Sequence, residues 1–187
     1  IEMSFTDQEV LFPIIEGLMK EIFKKILNID LITPIPRLTY HEAMEKYGND
    51  KPDTRFDMKI QDLSDIFQSS DFKVFQNTLA DKNGSIRAIC VKGKNDFSRK
   101  EVDLLTEFVK QFGAKGLIPV KMKDGEFDST VKKFISQEMF HQAAKRCGAE
   151  NGDTMFLIAD KYDTVLRALG ELRLKLAKEL NLIPGNL

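Results

Sequence analysis

The spacing of apolar positions along this 187-residue chain changes several times, and each change marks an element. Ile1, Met3 and Phe5 alternate with Glu2, Ser4 and Thr6, the period of a half-buried strand. Thr6 with Glu9 three residues on has the form of a helix capping box. Leu11, Ile14, Ile15, Leu18, Met19, Ile22, Phe23 and Ile26 follow at helical spacing, and Asn28 and Asp30 end the run. Pro13 conflicts with a helix that begins at Asp7, because it lacks an N–H and crowds the preceding turn; the helix either kinks there or becomes regular only from that point. Thr33-Pro34-Ile35-Pro36 reads as a stiff extended connector. A short helix over 40–46 leads into Tyr47-Gly48-Asn49-Asp50-Lys51-Pro52-Asp53, a loop by its content of Gly, Asn, Asp and Pro.

The next block is a compact α+β pattern. Residues 63–67 form a short helical turn, and 72–78 and 86–91 read as strands joined by the hairpin-like turn Asp81-Lys82-Asn83-Gly84. Ser98 and Glu101 cap a helix whose stripe is Val102, Leu105, Phe108, Val109 and Phe112, with Gly113 ending it. A third strand over 117–122 contains Pro119, which assigns it to an edge or a bulge. Lys123-Asp124-Gly125 turns the chain; 129–147 is helical, 148–152 breaks the helix, and 155–158 is a fourth strand. The longest helix, 162–180, carries Val165, Leu166, Leu169, Leu172, Leu176 and Leu180 on one face, and Pro184-Gly185 follow it. From residue 72 this order predicts a mixed or antiparallel sheet with helices on one face. The first strand and helix belong to another unit.

Composition narrows the class. With 42% apolar and 30% charged residues the chain can fill a core, which excludes a disordered protein. Lys+Arg (28) and Asp+Glu (29) leave a net charge of -1, which excludes a polycation holding nucleic acid by charge alone. Residues 87–133 nevertheless carry 11 basic against 7 acidic residues, among them Arg99, Lys100, Lys115, Lys121, Lys123, Lys132 and Lys133; this excess is either a solvated face or a phosphate-facing patch. Cys90 and Cys147 have no nearby ligand partners, so they form neither a disulfide framework nor a zinc knuckle and fit a reducing cytosol. No apolar run approaches the roughly 20 residues of a membrane helix, and no basic, apolar leader is present. A chain whose first residue is Ile, already inside an alternating pattern, is expected to be a fragment of something longer.

The usual chemical constellations are missing. His41 and His141 lack partners at metal-ligand spacing and read as surface or packing histidines. Cys90, between Ile89 and Val91, reads as a buried structural thiol, and Cys147 as a helix-end residue. There is no Gly-rich phosphate loop, nucleophile elbow or paired-carboxylate spacing. From chemistry alone this is a binding or accessory module.

Several segments, however, are together specific. Pro36-Arg37-Leu38-Thr39-Tyr40-His41-Glu42-Ala43 and Tyr47-Gly48-Asn49-Asp50-Lys51-Pro52-Asp53-Thr54-Arg55 are similar to the P-R-[ML]-T-Y-x-E-A and Y-G-[SN]-D-K-P-D-x-R stretches of bacterial-type aspartyl-tRNA synthetases. Ser98-Arg99-Lys100, Gly113-Ala114-Lys115-Gly116-Leu117, Ala159-Asp160-Lys161 and Ala168-Leu169-Gly170-Glu171-Leu172-Arg173-Leu174-Lys175 resemble further segments of that family, in the expected order. Ile1-Glu2-Met3-Ser4-Phe5 resembles the strand after its second class II motif. Asn49 stands where Ser is common and Pro119 where an aromatic is frequent; Pro13 is an unusual helix residue.

The resemblance implies an α+β fold: a two-layer β-β-α-β-β-α inserted domain, GAD/DCoH-like, with helical flanks from a class II catalytic domain. Residues 1–56 would be partial catalytic domain and connecting loop, 57–160 the inserted GAD domain, and 161–187 a helix returning to the catalytic domain. The parent would be a cytoplasmic aspartate–tRNA ligase that uses ATP and Mg²⁺ to join L-aspartate to tRNA(Asp), and a homodimer. The fragment would be a monomer or a weak dimer through its last long helix, with no membrane association. Its arginine-bearing ATP motifs lie outside these residues, so no catalytic residue, metal site or bound cofactor is expected here and the fragment alone should be inactive. Five residues are candidates near substrate: Glu2, Tyr47, Asp50, Lys51 and Arg55. Glu2 is either near the aminoacyl-adenylate pocket or a salt-bridged carboxylate at a sheet edge. The 47–55 loop either helps position the tRNA end or is a turn in which Asp50 and Asp53 act as caps with Lys51 and Arg55 as counterions. Arg99, Lys100, Lys132 and Lys133 are the candidates facing RNA. The rival reading is a stand-alone tRNA- or protein-binding module of the amidotransferase type; a small-molecule regulatory domain is a third, with no pocket-forming motif behind it.

Overall fold

A computed structural model describes residues 1–185, which fall into two compact units, Ile1–Thr39 and the remainder from Tyr40. In the first unit α1 (Gln8–Leu27) starts at Asp7, whose carboxylate accepts from the N–H groups of Glu9 and Val10. Asp7, not Thr6, is therefore the cap. Asn28 ends the helix in the left-handed conformation that Asn tolerates. Pro13 lies inside the helix. The connector returns beside α1: the Ile35 N–H donates to Glu16 at 3.0 Å, and Arg37 reaches both Glu9 carboxylate oxygens at 2.9 Å while lying over the Phe12 ring. The strand expected over 1–5 does not form. Ile1, Met3 and Phe5 are exposed, and their alternation has no strand to pair with among the described residues.

The second unit begins with α2 (Tyr40–Tyr47) and is built around one five-stranded antiparallel sheet. Its elements run β1 (Gln61–Asp62), α3 (Lys73–Ala80), β2 (Gly84–Val91), α4 (Arg99–Lys110), β3 (Ile118–Lys123), β4 (Glu126–Asp128), α5 (Gln137–Cys147), β5 (Thr154–Lys161) and α6 (Tyr162–Glu179). In space the strands lie in the order β1-β2-β5-β3-β4. The long central pair, β2 and β5, is matched from Gly84↔Lys161 to Val91↔Thr154.

Both faces of that pair are buried, which separates the structure from the expected sheet with helices on one face. Ile89 and Val91 of β2 and Phe156 and Ile158 of β5 pack with α4 and α6; Ala88, Cys90, Met155 and Leu157 pack with α3 and α5 on the other side. The near-continuous apolar content of residues 86–91 reflects this two-sided burial. The expected strand over 72–78 is α3. Phe72, Phe75 and Leu79 face the second core at helical spacing, whereas Val74, which makes the segment look alternating, is 47% exposed. The helix expected over 129–147 is shorter: 130–134 are turns, and Ser136 caps α5 by accepting from the Met139 N–H. The Ser98–Glu101 capping box is present in full, and Gly148 ends α5 in the left-handed region. Pro119 sits on β3 opposite Phe156, beyond the reach of β4, which pairs only with residues 121–123. There its missing N–H faces no ladder, as a strand-edge proline requires.

One contact fixes how α2 meets α6. The α2 C-terminus crosses α6 backbone to backbone, because residues 48 and 170 are both glycine. A Cβ on Gly170 would lie 2.8 Å from the Tyr47 carbonyl oxygen, and one on Gly48 would lie 2.1 Å from that of Leu166. Gly170→Ala should therefore destabilise the protein by about 1–3 kcal/mol as an overpacked site, despite alanine's helix-propensity advantage of about 1 kcal/mol. Gly17→Ala in α1, where an added Cβ meets nothing within 4 Å, should not destabilise. Thermal unfolding followed by circular dichroism checks this, at about 2–4 °C per kcal/mol for a chain of this size; an unchanged midpoint for Gly170→Ala would contradict the close approach.

Candidate functional site

The loop that leaves α2 is closed at its base. The Ile60 N–H donates to the Lys46 carbonyl at 2.8 Å, and Gly48, at φ 68°, turns the chain away from α6. Two short-range caps shape the interior: the Asn49 side-chain oxygen accepts from the Lys51 N–H at 2.8 Å, and Asp53 accepts from the Arg55 N–H at 3.1 Å. Arg55 also grips the Asp53 carboxylate with two nitrogens, at 2.9 and 2.6 Å. Those hydrogen bonds hold the Asp53 carboxyl down at about 2.

Beneath the loop lies Arg173 of α6, 1% exposed. Its Nε donates to the Met58 carbonyl at 2.9 Å, and one terminal nitrogen donates to the carbonyls of Asp53 at 2.6 Å and Phe56 at 3.1 Å. The guanidinium stacks 3.9 Å from the Phe56 ring centre and 4.9 Å from that of Tyr47. Burial pushes its pKa below the ordinary value, opposed by Tyr47 and the Asp53 and Asp57 carboxylates.

A second buried arginine secures α2 to the sheet. Arg87 of β2 pairs with Glu45 at 2.6 Å and with Asp62 at 3.0 Å, donates to the Ser85 hydroxyl, and faces the Tyr162 ring. Tyr162 donates its hydroxyl to the same Glu45. Burial would raise the Glu45 pKa, but the hydrogen bonds from Tyr162 and Arg87 bring it below its ordinary value. Burial, then the Glu45 carboxylate, push the Tyr162 hydroxyl up to about 12.

The candidates read from the sequence fall into three places. Glu2 is exposed in the first unit, on a segment that is not a strand. Tyr47, Asp50, Lys51 and Arg55 share the closed loop. Tyr47 is buried beneath it against Arg173, and Arg55 is spent on Asp53. Asp50 and the Lys51 ammonium are exposed, and neither charge has an ion partner among the described residues. Arg99 and Lys100 open α4, while Lys132 and Lys133 lie in the turn before α5. A cleft of about 630 Å³ has Phe97, Arg99, Lys121, Asp128 and Thr130 on its walls, and Lys132 reaches Asp128 at 3.7 Å, so Arg99 and Lys132 lie at or beside this cleft.

Burial raises both thiols, Cys90 and Cys147, to about 12. His41 is exposed, and His141 packs edge-on against Phe127 with its Nδ1 2.8 Å from the Gln137 carbonyl. Among the described residues no three metal-ligating side chains gather. The sequence reading assigned no role to Gly48, Gly170 or Arg173. The available signal was Arg173 itself, a charge four residues after Leu169 and seven after Leu166, squarely on the apolar face of α6.

A helix-clad antiparallel sheet with a braced polar loop defines an α+β module. The family model for the GAD domain matches residues 75–169, and the chain belongs to that family. Gly48, Gly170 and Arg173 lie outside the matched stretch. The chain is also similar over nearly its whole length to curated ligases. It is 45% identical over 183 residues (98% of this chain, 30% of the relative) to an aspartate–tRNA ligase of Clostridium perfringens. It is 48% identical over 183 residues (98% and 31%) to an aspartate–tRNA(Asp/Asn) ligase of Caldanaerobacter subterraneus. The aspartate–tRNA ligase of Staphylococcus carnosus is 44% identical over all 187 residues, 32% of its own length. The chain thus spans about a third of the length of these relatives. A hypothetical protein from Pyrococcus horikoshii overlaps 57% of this chain and 62% of its own at a TM-score of 0.41 and 21% identity, too loosely to bear on function.

The Asp53–Arg55 pair has a pH signature. A carboxylate depressed from 3.8 to about 2 adds stability that is complete above its unfolded pKa and is lost as pH falls from about 4 through about 2. Asp53→Asn should remove that component, so the stability difference between wild type and variant should shrink across this window. Urea unfolding at steps from pH 5 to pH 2 measures it; a constant difference would show that the pair does not titrate as the geometry requires.

Proposed function

We propose that this chain is the segment of an aspartate–tRNA ligase that carries the GAD module and the polar loop beside it. The parent enzyme joins L-aspartate to tRNA(Asp) with ATP and acts in the cytoplasm as a homodimer. Residues 1–56 belong to the catalytic side, 57–160 to the inserted domain and 161–187 to the returning helix. The likeness to curated ligases over 98% or more of the chain supports the parentage. The observation that carries the role of this segment is the loop: its backbone is tied down at several points, yet it presents Asp50 and Lys51 outward with no ion partner among the described residues.

A rigid loop that displays an unneutralised ammonium is suited to contact a phosphate or the sugar of a tRNA end without ordering cost at the moment of binding. In this reading Lys51 makes that contact, Asp50 orients it, and Arg55 acts through the Asp53 turn. Glu2 lies on the catalytic side near the adenylate pocket. Arg99, Lys100, Lys132 and Lys133 form a weaker, salt-sensitive RNA-facing surface on the inserted domain. ATP and Mg²⁺ serve the parent through residues outside this segment. The segment supplies no catalytic group, holds no cofactor and should not catalyse ATP–pyrophosphate exchange on its own.

In the full-length ligase, Lys51→Ala should lower the aminoacylation rate at limiting tRNA by about tenfold, the loss of one charge-assisted contact; an unchanged rate would remove the loop from substrate binding. Replacing Lys132 and Lys133 together by Ala should flatten the slope of log binding constant against log salt for tRNA by up to about 1.5–2 units. A slope equal to that of the wild type would leave the inserted domain as a structural element.

A further inference from the structure

We infer that Arg173 is a positioning residue for tRNA: it sets the shape of the 47–58 loop from below, so that the transfer step depends on a side chain that touches no substrate. The inference rests on the reading of the loop as tRNA-facing and adds the device that fixes its geometry.

Three backbone carbonyls, those of Asp53, Phe56 and Met58, turn inward and meet on one guanidinium. Among the described residues no carboxylate is hydrogen-bonded to that group, and the Asp53 side chain is engaged with Arg55 instead. The buried charge is thus satisfied by peptide dipoles from three points of one loop, and two rings, Tyr47 and Phe56, close its faces. Only an arginine does this: a planar fork donates in several fixed directions, while an ammonium of similar reach donates from one point. Asp50 and Lys51, on the same loop, are exposed. Arg173 stands on α6, whose first half lies within the GAD match and packs on the sheet. The loop's orientation is therefore referenced to the inserted module through one helix.

The test compares Arg173→Lys and Arg173→Met in the full-length ligase. Hydrogen exchange read by mass spectrometry should show peptides covering 48–58 exchanging at least tenfold faster in both variants, and accelerated more than peptides from β2 and β5. Transfer of aspartate to tRNA should fall at least fivefold more than ATP–pyrophosphate exchange, with the KM for tRNA raised. Unchanged exchange in the loop would overturn the inference whatever the kinetics. Equal losses in both half-reactions would overturn it too, since general destabilisation would then be the cause. A loosened loop with both half-reactions intact would show that Arg173 shapes the loop but that the loop does not serve tRNA, and Lys51→Ala would then be silent as well. If Arg173→Met fails to fold, Arg173→Lys, which keeps the charge and most of the packing, carries the same three readings.

Discussion

The second unit turns on a cation buried in α6 whose hydrogen bonds go to backbone carbonyls. Burying a guanidinium without a carboxylate is costly unless every donor direction finds an acceptor. Here the acceptors are carbonyls of a loop whose composition favours disorder, so the cost of burial and the cost of ordering the loop are solved by the same contacts. Neither side stands without the other: the charge would lack acceptors, and three carbonyls would lose a donor in an environment that admits little water.

The surrounding structure is arranged to permit that contact. Two glycines let α2 and α6 cross with touching backbones, which brings residue 48 down to the helix and starts the loop in the right direction. Arg87 ties Glu45 of α2 and Asp62 of β1 to the centre of the sheet, and Tyr162 at the start of α6 joins the same cluster. The loop therefore inherits rigidity from β2 and β5, strands packed on both faces. Its outward charges are held on a frame.

Much of this was legible in the sequence, and the failures have physical causes. The capping box at Ser98, the break at Gly148 and the long stripe of α6 are local signals, and the structure keeps them. Phe72 to Thr78 misled because Val74 mimics alternation, whereas burial of Phe75 against Phe67 and Phe72 decides the segment as helix. The strand at residues 1–5 needs a neighbour that the described residues do not include. Helices on both sheet faces follow from tertiary assembly and leave only a faint trace, the unbroken apolar run in β2. The loop was recognisable by motif, but its brace was not: Arg173 acts across more than a hundred residues of sequence, and Gly48 and Gly170 matter only because they meet.

These contacts make the loop, α6 and the sheet one cooperative unit. Native-state hydrogen exchange under increasing denaturant tests it most directly through the Ile60 amide, whose bond to Lys46 closes the loop. This amide should open with the same free energy and denaturant dependence as the amides of the β2–β5 ladder. Opening of Ile60 at markedly lower free energy, with the ladder still closed, would show that the loop is an appendage and not part of the frame.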